Sequence, residues 1–215
     1  YPRMLYPTIR SRCLLVRFRT LKQETVVGLL RQKRDLPEEV AYSIAGLAHG
    51  RMTRALDLVD TDKREIVLAI TAKLVAGYDP VVLAEEFAEA LSEQRKRIEE
   101  LVKARLSPEE RDSLSPEETE ELLGAQLAEE AEVYERALYD YLYLLESWYR
   151  DQWVCSVAGP ADRILNRDQL ERLGRESSQD PVAKILAVEK ARRYLERYMD
   201  EERVFRELFF TLAAP

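Results

Sequence analysis

Residues 115–151 read SPEETEELLGAQLAEEAEVYERALYDYLYLLESWYRD. Apolar and aromatic side chains recur at Leu127, Ala131, Tyr134, Leu138, Tyr141, Leu145 and Trp148. They alternate four and three residues apart, the spacing that lays a stripe along one face of an α-helix. Ser115, Pro116 and Glu118 supply an N-cap hydroxyl, a proline at the first helical position and a glutamate able to reach back to the cap, the capping-box arrangement. The stretch therefore predicts one long helix from about Pro116 to Asp151. Leu123, Leu142 and Leu144 flank the stripe and make it wider than a two-stranded seam, which fits the central helix of a bundle; an exposed coiled coil is the other reading. The acidic beginning, Glu117 to Glu132, reads as a solvated face stabilised at the positive end of the helix dipole, with an acidic protein-binding surface as the alternative.

Composition agrees with a helical chain. In 215 residues, 46% are hydrophobic and 34% charged, with seven glycines and nine prolines, enough apolar material for a core and few of the turns a strand-rich fold needs. The net charge of −7 argues against a nucleic-acid-binding surface over the whole molecule. The average hides an asymmetry, because between Arg3 and Arg34 the only acid is Glu24. Cys13, Cys155 and the single histidine, His49, have no metal-ligand spacing, so no metal site is expected, and a reducing, cytoplasmic setting fits. No apolar run approaches the roughly 20 residues that span a bilayer. The chain opens on Tyr1-Pro2-Arg3 and is expected to be a piece of a longer protein.

Working outward, Lys22 to Arg34 carries Val26, Val27, Leu29 and Leu30 at helical positions and ends in a basic turn. Pro37 opens a second helix through Val40, Ile44 and Leu47 that Gly50 closes, and Thr53 to Val59 makes a third. Longer helices are expected over Arg64 to Ala76 and Pro80 to about Leu106, the latter with Leu83, Phe87, Leu91, Ile98 and Leu101 on one face. Ser107-Pro108-Glu109-Glu110 predicts one short helical turn before the central helix. After Gly159-Pro160 come a short helix at Leu170 to Leu173, a helix opened by Pro181 and reaching Tyr198, and a final helix from Val204 to Leu212. Cys155 reads as a small buried apolar residue, Trp148 and Tyr149 as core anchors, and His49 as a capping or surface residue rather than a catalytic base.

Ahead of all these helices stands Thr8-Ile9-Arg10-Ser11-Arg12-Cys13, followed by the β-like run Leu14 to Phe18. In an extended backbone Arg10 and Arg12 point the same way, and one or both could face a phosphate; a solvated basic turn at a domain edge is the alternative.

The order of these parts, with Gly50-Arg51-Met52-Thr53-Arg54-Ala55-Leu56 in the small bundle, Glu146 to Asp151, Asn166, and the closing pattern from Ala191 through Leu195 to Glu207-Leu208, resembles the small subunits of the sliding-clamp loader, an AAA+ family. Within them it is most similar to the delta-prime subunits of bacterial DNA polymerase III. The resemblance implies an all-α fold in three parts: 1–20 the tail of an ATPase domain, with a short strand remnant, 21–60 its three-helix lid, and 61–215 a helical collar. It implies that Arg12 is an arginine finger acting in trans on ATP held by a neighbouring subunit, with Thr8, Ser11 and Cys13 supporting the motif and no cofactor or metal bound in this stretch. Implied partners are the gamma/tau and delta subunits through the collar, and the sliding clamp and primer-template DNA through the complex, with no membrane.

The chain also departs from that pattern. Hydrolysing relatives carry a sensor arginine where this chain has Thr53, and an acid where it has Arg54. The family's paired asparagines near the end of the collar read here as Tyr198 and Asp200. These departures imply a subunit that does not serve its own nucleotide. An ATP-hydrolysing motor subunit and a helical adapter are the alternatives.

Overall fold

In the computed structural model, residues 6–10, 12–14, 19–104, 115–176 and 180–214 are described, with backbone alone at 7, 10 and 116. Among them every regular element is helical. A short α1 (Pro7–Arg10) precedes α2 (Gln23–Arg34), α3 (Glu38–Ala48) and α4 (Met52–Asp60). There follow α5 (Lys63–Val75), α6 (Pro80–Lys103), α7 (Pro116–Ser156), α8 (Leu170–Arg175), α9 (Pro181–Leu195) and α10 (Glu201–Ala213). Two 3₁₀ turns, Ala161–Arg163 and Arg167–Gln169, join α7 to α8.

The central element is α7, with 41 residues and a length of about 60 Å at 1.5 Å per residue. Its start is the predicted capping box: the Glu118 N–H donates to Ser115 Oγ at 3.3 Å and the Ser115 N–H donates to Glu118 Oε2 at 2.8 Å. It runs beyond Asp151 to Ser156, because Val154 supplies one more buried apolar turn before Gly159 folds back onto the Val154 carbonyl at 2.8 Å. Leu138, Tyr141, Leu145 and Trp148 of the stripe are buried, which makes α7 the spine of a bundle over this half. Its covering layer is α6 and α9, with α10 laid across α6 and α9, and α5 beside the spine.

Two faces differ from their reading. On α6, Val102 is buried in place of Leu101, which is 68% exposed. The seam is thus Leu83, Phe87, Leu91, Ile98 and Val102, whose spacings of four and seven stay closer to one helix face. The final helix begins at Glu201, before Val204, since the Asp200 carboxylate accepts the Arg203 N–H at 3.0 Å and caps it. Pro181 opens α9 as expected, but α9 stops at Leu195, and the chain turns at Tyr198, whose φ of 56° is left-handed. Phe205 and Phe209 pack around Phe87 with ring centroids 5.1 and 5.4 Å apart, so α10 docks on its own chain. Phe210 faces outward. Cys155 is half-buried rather than buried. The short turn expected at Ser107, and 15–18 of the β-like run, lie outside the described residues.

Candidate functional site

The residues just before Arg12, Pro7–Arg10, form a helical turn where an extended segment was expected, and Arg12 follows in a turn. Pro7 occupies the first helical position, the Ile9 N–H donates to the Tyr6 carbonyl and the Arg12 N–H to the Ile9 carbonyl, both at 3.0 Å. The Arg10 backbone is thus helical, and the extended segment that would have aligned Arg10 with Arg12 is not formed there. Thr8, Arg12 and Cys13 are exposed, and Ser11 lies outside the described residues. No hydrogen bond or ion pair engages the Arg12 side chain among the described residues. A guanidinium left in that state is available to an anion brought by another molecule.

The chain then reaches α2 across the end of α3. The Leu21 N–H donates to the Gly50 carbonyl at 2.9 Å, and Gly50 has a φ of 73°. A Cβ at Gly50 would collide with the Leu21 carbonyl oxygen, so glycine is required both by its dihedral and by this close approach. His49, just before it, is the C-cap of α3 with a φ of 49°.

The residues where the clamp-loader pattern has its sensor motif have other engagements here. Thr53 is exposed. Arg54 pairs with Asp140 of α7 at 2.8 Å and lies 4.3 Å above the Tyr143 ring. The Tyr143 hydroxyl bonds His49 Nε2 at 2.7 Å. Burial pushes the Tyr143 phenol up to about 12 and raises the Asp140 carboxyl, against the pull of Arg54. Desolvation and then the guanidiniums of Arg54, Arg51 and Arg150 lower the His49 imidazole. This arrangement ties the ends of α3 and α4 to the spine.

A second polar cluster, deeper, joins the same two parts. Asp151 is fully buried and accepts from Arg150 at 2.8 Å, from the Asn166 N–H at 2.8 Å, from the Asn166 side-chain amide at 2.9 Å and from the Leu165 N–H at 3.1 Å. Asn166 in turn accepts from Arg64, which pairs with Asp168 at 2.6 Å. Ser43 of α3 donates to the same Asp168 oxygen at 2.5 Å and accepts the Asp168 N–H at 3.2 Å. Burial works to raise the Asp168 carboxyl, but Arg64 and the hydrogen bonds from Gln169, Ser43 and Arg64 outweigh it and hold it below its ordinary value. Beside this, Arg172 stacks 4.3 Å over Trp148 and donates to the Leu68 carbonyl and to Thr71 on α5.

Asp151 and Asn166 were each legible as parts of loose patterns, and the structure brings them together. Arg64, Asp168 and Ser43 were not singled out. Their signal was weak: an arginine and a serine inside helical patterns and an aspartate just ahead of a short helix, where the bland reading of an exposed polar position is ordinarily right. Among the described residues no group of three histidine, cysteine or acidic side chains is placed to hold a metal. No described helix is long and apolar enough to cross a membrane. Compared with protein-family models, with curated proteins and with solved structures, the chain has no significant match to any of them.

Proposed function

We propose that this chain is a non-hydrolysing subunit of a sliding-clamp loader, of the delta-prime type, working in the cytoplasm as part of a bacterial DNA polymerase III holoenzyme. The observation that carries the reading is Arg12: an exposed guanidinium with no partner among the described residues, in a turn ahead of a three-helix unit. In this reading α2, α3 and α4 are the lid and the helices from α5 onward are the collar. The collar meets the gamma/tau and delta subunits, and the assembled complex handles the clamp and primer-template DNA.

The chemistry asked of Arg12 is electrostatic. A planar fork of donors spreads over the oxygens of a γ-phosphoryl group as it transfers, and an arginine supplied in trans is worth about 10³–10⁵ in rate in related NTPases. The neighbouring subunit holds ATP, and this chain contributes no nucleotide site of its own. Arg54 supports that division, since its pairing with Asp140 and stacking on Tyr143 leave it committed to holding helices together, while Thr53 offers no charge. A motor subunit would need a free cation there.

The test is a clamp loader reconstituted with the full-length protein. Arg12→Ala is expected to leave circular dichroism and assembly unchanged and to lower clamp-stimulated ATP hydrolysis at least tenfold. Arg12→Lys is expected to restore little of it, because an ammonium cannot bridge two oxygens in the same way. Unchanged hydrolysis in Arg12→Ala would overturn the assignment.

A further inference from the structure

The apolar stripe of α7 continues past the body that covers it. From Leu138 onward it is buried, whereas Leu127 is 58% exposed and Ala128 and Ala131 are exposed with it. Beside them a groove of about 620 Å³ opens between α7 and the turn that joins α9 to α10. Its apolar lining includes Ala128, Ala131, Leu138, Tyr139, Tyr198 and Met199. Tyr198 is 97% exposed, at the left-handed turn where its N–H donates to the Leu195 carbonyl at 2.8 Å. From Ala128 to Tyr139 the groove borders about 16 Å of helix, room for two to three turns of a second helix.

The charged residues that line this groove are all acidic, while Arg95 sits behind its wall, 5.1 Å over the Tyr134 ring and beside Glu130. Glu132, Glu135, Asp200 and Glu201 line the groove, and none of its described lining residues is lysine or arginine. Glu201 accepts from the Tyr134 hydroxyl at 2.7 Å and Asp200 from the Arg203 N–H at 3.0 Å, neither of which neutralises a carboxylate. Glu132 alone has a cation, Arg136, at 2.8 Å, and that pair is exposed. From Glu117 to Glu135 the helix carries glutamates and no lysine or arginine.

We propose that this groove docks a basic amphipathic helix of a partner protein. Apolar side chains of the partner at i, i+3 or i+4, and i+7 enter the groove, where the small Ala128 and Ala131 let the two backbones approach and Tyr198 and Met199 close over the seam. Lysines or arginines flanking that seam meet the carboxylates, which steers the encounter and sets the orientation. A second copy of this chain is the poorer occupant, because a two-fold contact at this face would bring two acidic rims together.

The test uses the full 215-residue chain and two fluorescein-labelled helical peptides that share one leucine seam, one flanked by lysine and arginine and the other by glutamate. Fluorescence anisotropy is expected to report binding of the cationic peptide alone, weakening as salt rises. Ala131→Arg, at an exposed helical position, is expected to weaken it about tenfold or more, equivalent to about 1.4 kcal/mol. Glu132→Gln with Glu135→Gln is expected to weaken it and flatten its salt dependence, and Glu65→Gln with Glu89→Gln, on other exposed faces, to leave it unchanged. Equal binding of both peptides, binding indifferent to Ala131→Arg, or equal loss in both glutamine pairs would overturn the proposal. So would an absence of binding, or sedimentation showing a dimer that Ala131→Arg dissociates.

Discussion

At Gly50 two demands meet that no other residue satisfies. A left-handed φ costs a residue with a Cβ about 1–2 kcal/mol, and here the Cβ would also strike the Leu21 carbonyl oxygen. Gly77 has a similar φ of 78° with open space around it, so it separates the two costs. Gly77→Ala is expected to lose about 1 kcal/mol in urea unfolding, and Gly50→Ala about 2–4 kcal/mol together with faster hydrogen exchange at the Leu21 amide. Equal losses would mean that the clash is relieved by a small shift of Thr20 and Leu21. His49 allows a cleaner test of its own. Its folded pKa is lowered, so the unfolded chain takes up the proton first, and stability falls as pH drops below the ordinary histidine value of about 6.5. Asparagine tolerates the same backbone conformation, and His49→Asn is expected to remove that slope between pH 7 and 5, with a loss at pH 8 of about 0.5–1.5 kcal/mol from the missing bond to Tyr143.

The elements were mostly legible because their signals are local. Ser115 with Glu118, and Pro80 and Pro181 at first helical positions, are choices a short window can display. What the window missed was set by distant neighbours. Leu101 and Val102 are equally apolar, and only the packing of α6 against Val133 and Ala137 of α7 selects Val102. Thr8 to Cys13 looks extended by its β-like continuation, yet Pro7 and the carbonyls of Tyr6 and Ile9 close a turn. The same contrast yields a prediction for α10, where adjacent phenylalanines have opposite environments. Phe209 is buried against Phe87, and Phe209→Ala is expected to cost about 3–5 kcal/mol, through lost burial and the cavity left between α6 and α10. Phe210→Ala, 55% exposed, is expected to change stability by less than about 0.5 kcal/mol. Thermal unfolding followed by circular dichroism distinguishes them, and a large loss at Phe210 would show that this end of the helix is covered in solution.

At the scale of the molecule, the larger hydrophobic cluster among the described residues runs from Val26 in α2 to Leu212 in α10, and the polar cluster of Ser43, Asp168, Arg64, Asn166 and Asp151 sits at the junction of α2, α3 and α4 with the rest. Such a junction behaves as one cooperative unit only if both its apolar and its polar parts stay satisfied. Arg64 is 4% exposed, and Asp168→Ala would leave it charged without its carboxylate, at an expected cost of about 3–5 kcal/mol. Replacing both partners, Arg64→Met with Asp168→Leu, removes the buried charge as well and is expected to cost much less. The pH dependence carries a definite sign. Because the folded pKa of Asp168 lies below its ordinary value, its contribution is complete above the unfolded value of about 3.9 and fades as pH falls from there through the folded value. Asp168→Asn should therefore flatten the acid limb of stability below about pH 4. Urea unfolding followed by the fluorescence of Trp148 and Trp153, both in α7, with hydrogen exchange of α3 and α7 amides read in parallel, supplies the check. The unaltered chain is expected to give coincident transitions, and Asp168→Ala to release α3 before α7, since the apolar contacts of α6 and α9 on the spine do not pass through Asp168. Separate transitions in the unaltered chain would instead mean that α2, α3 and α4 are only loosely seated on the spine.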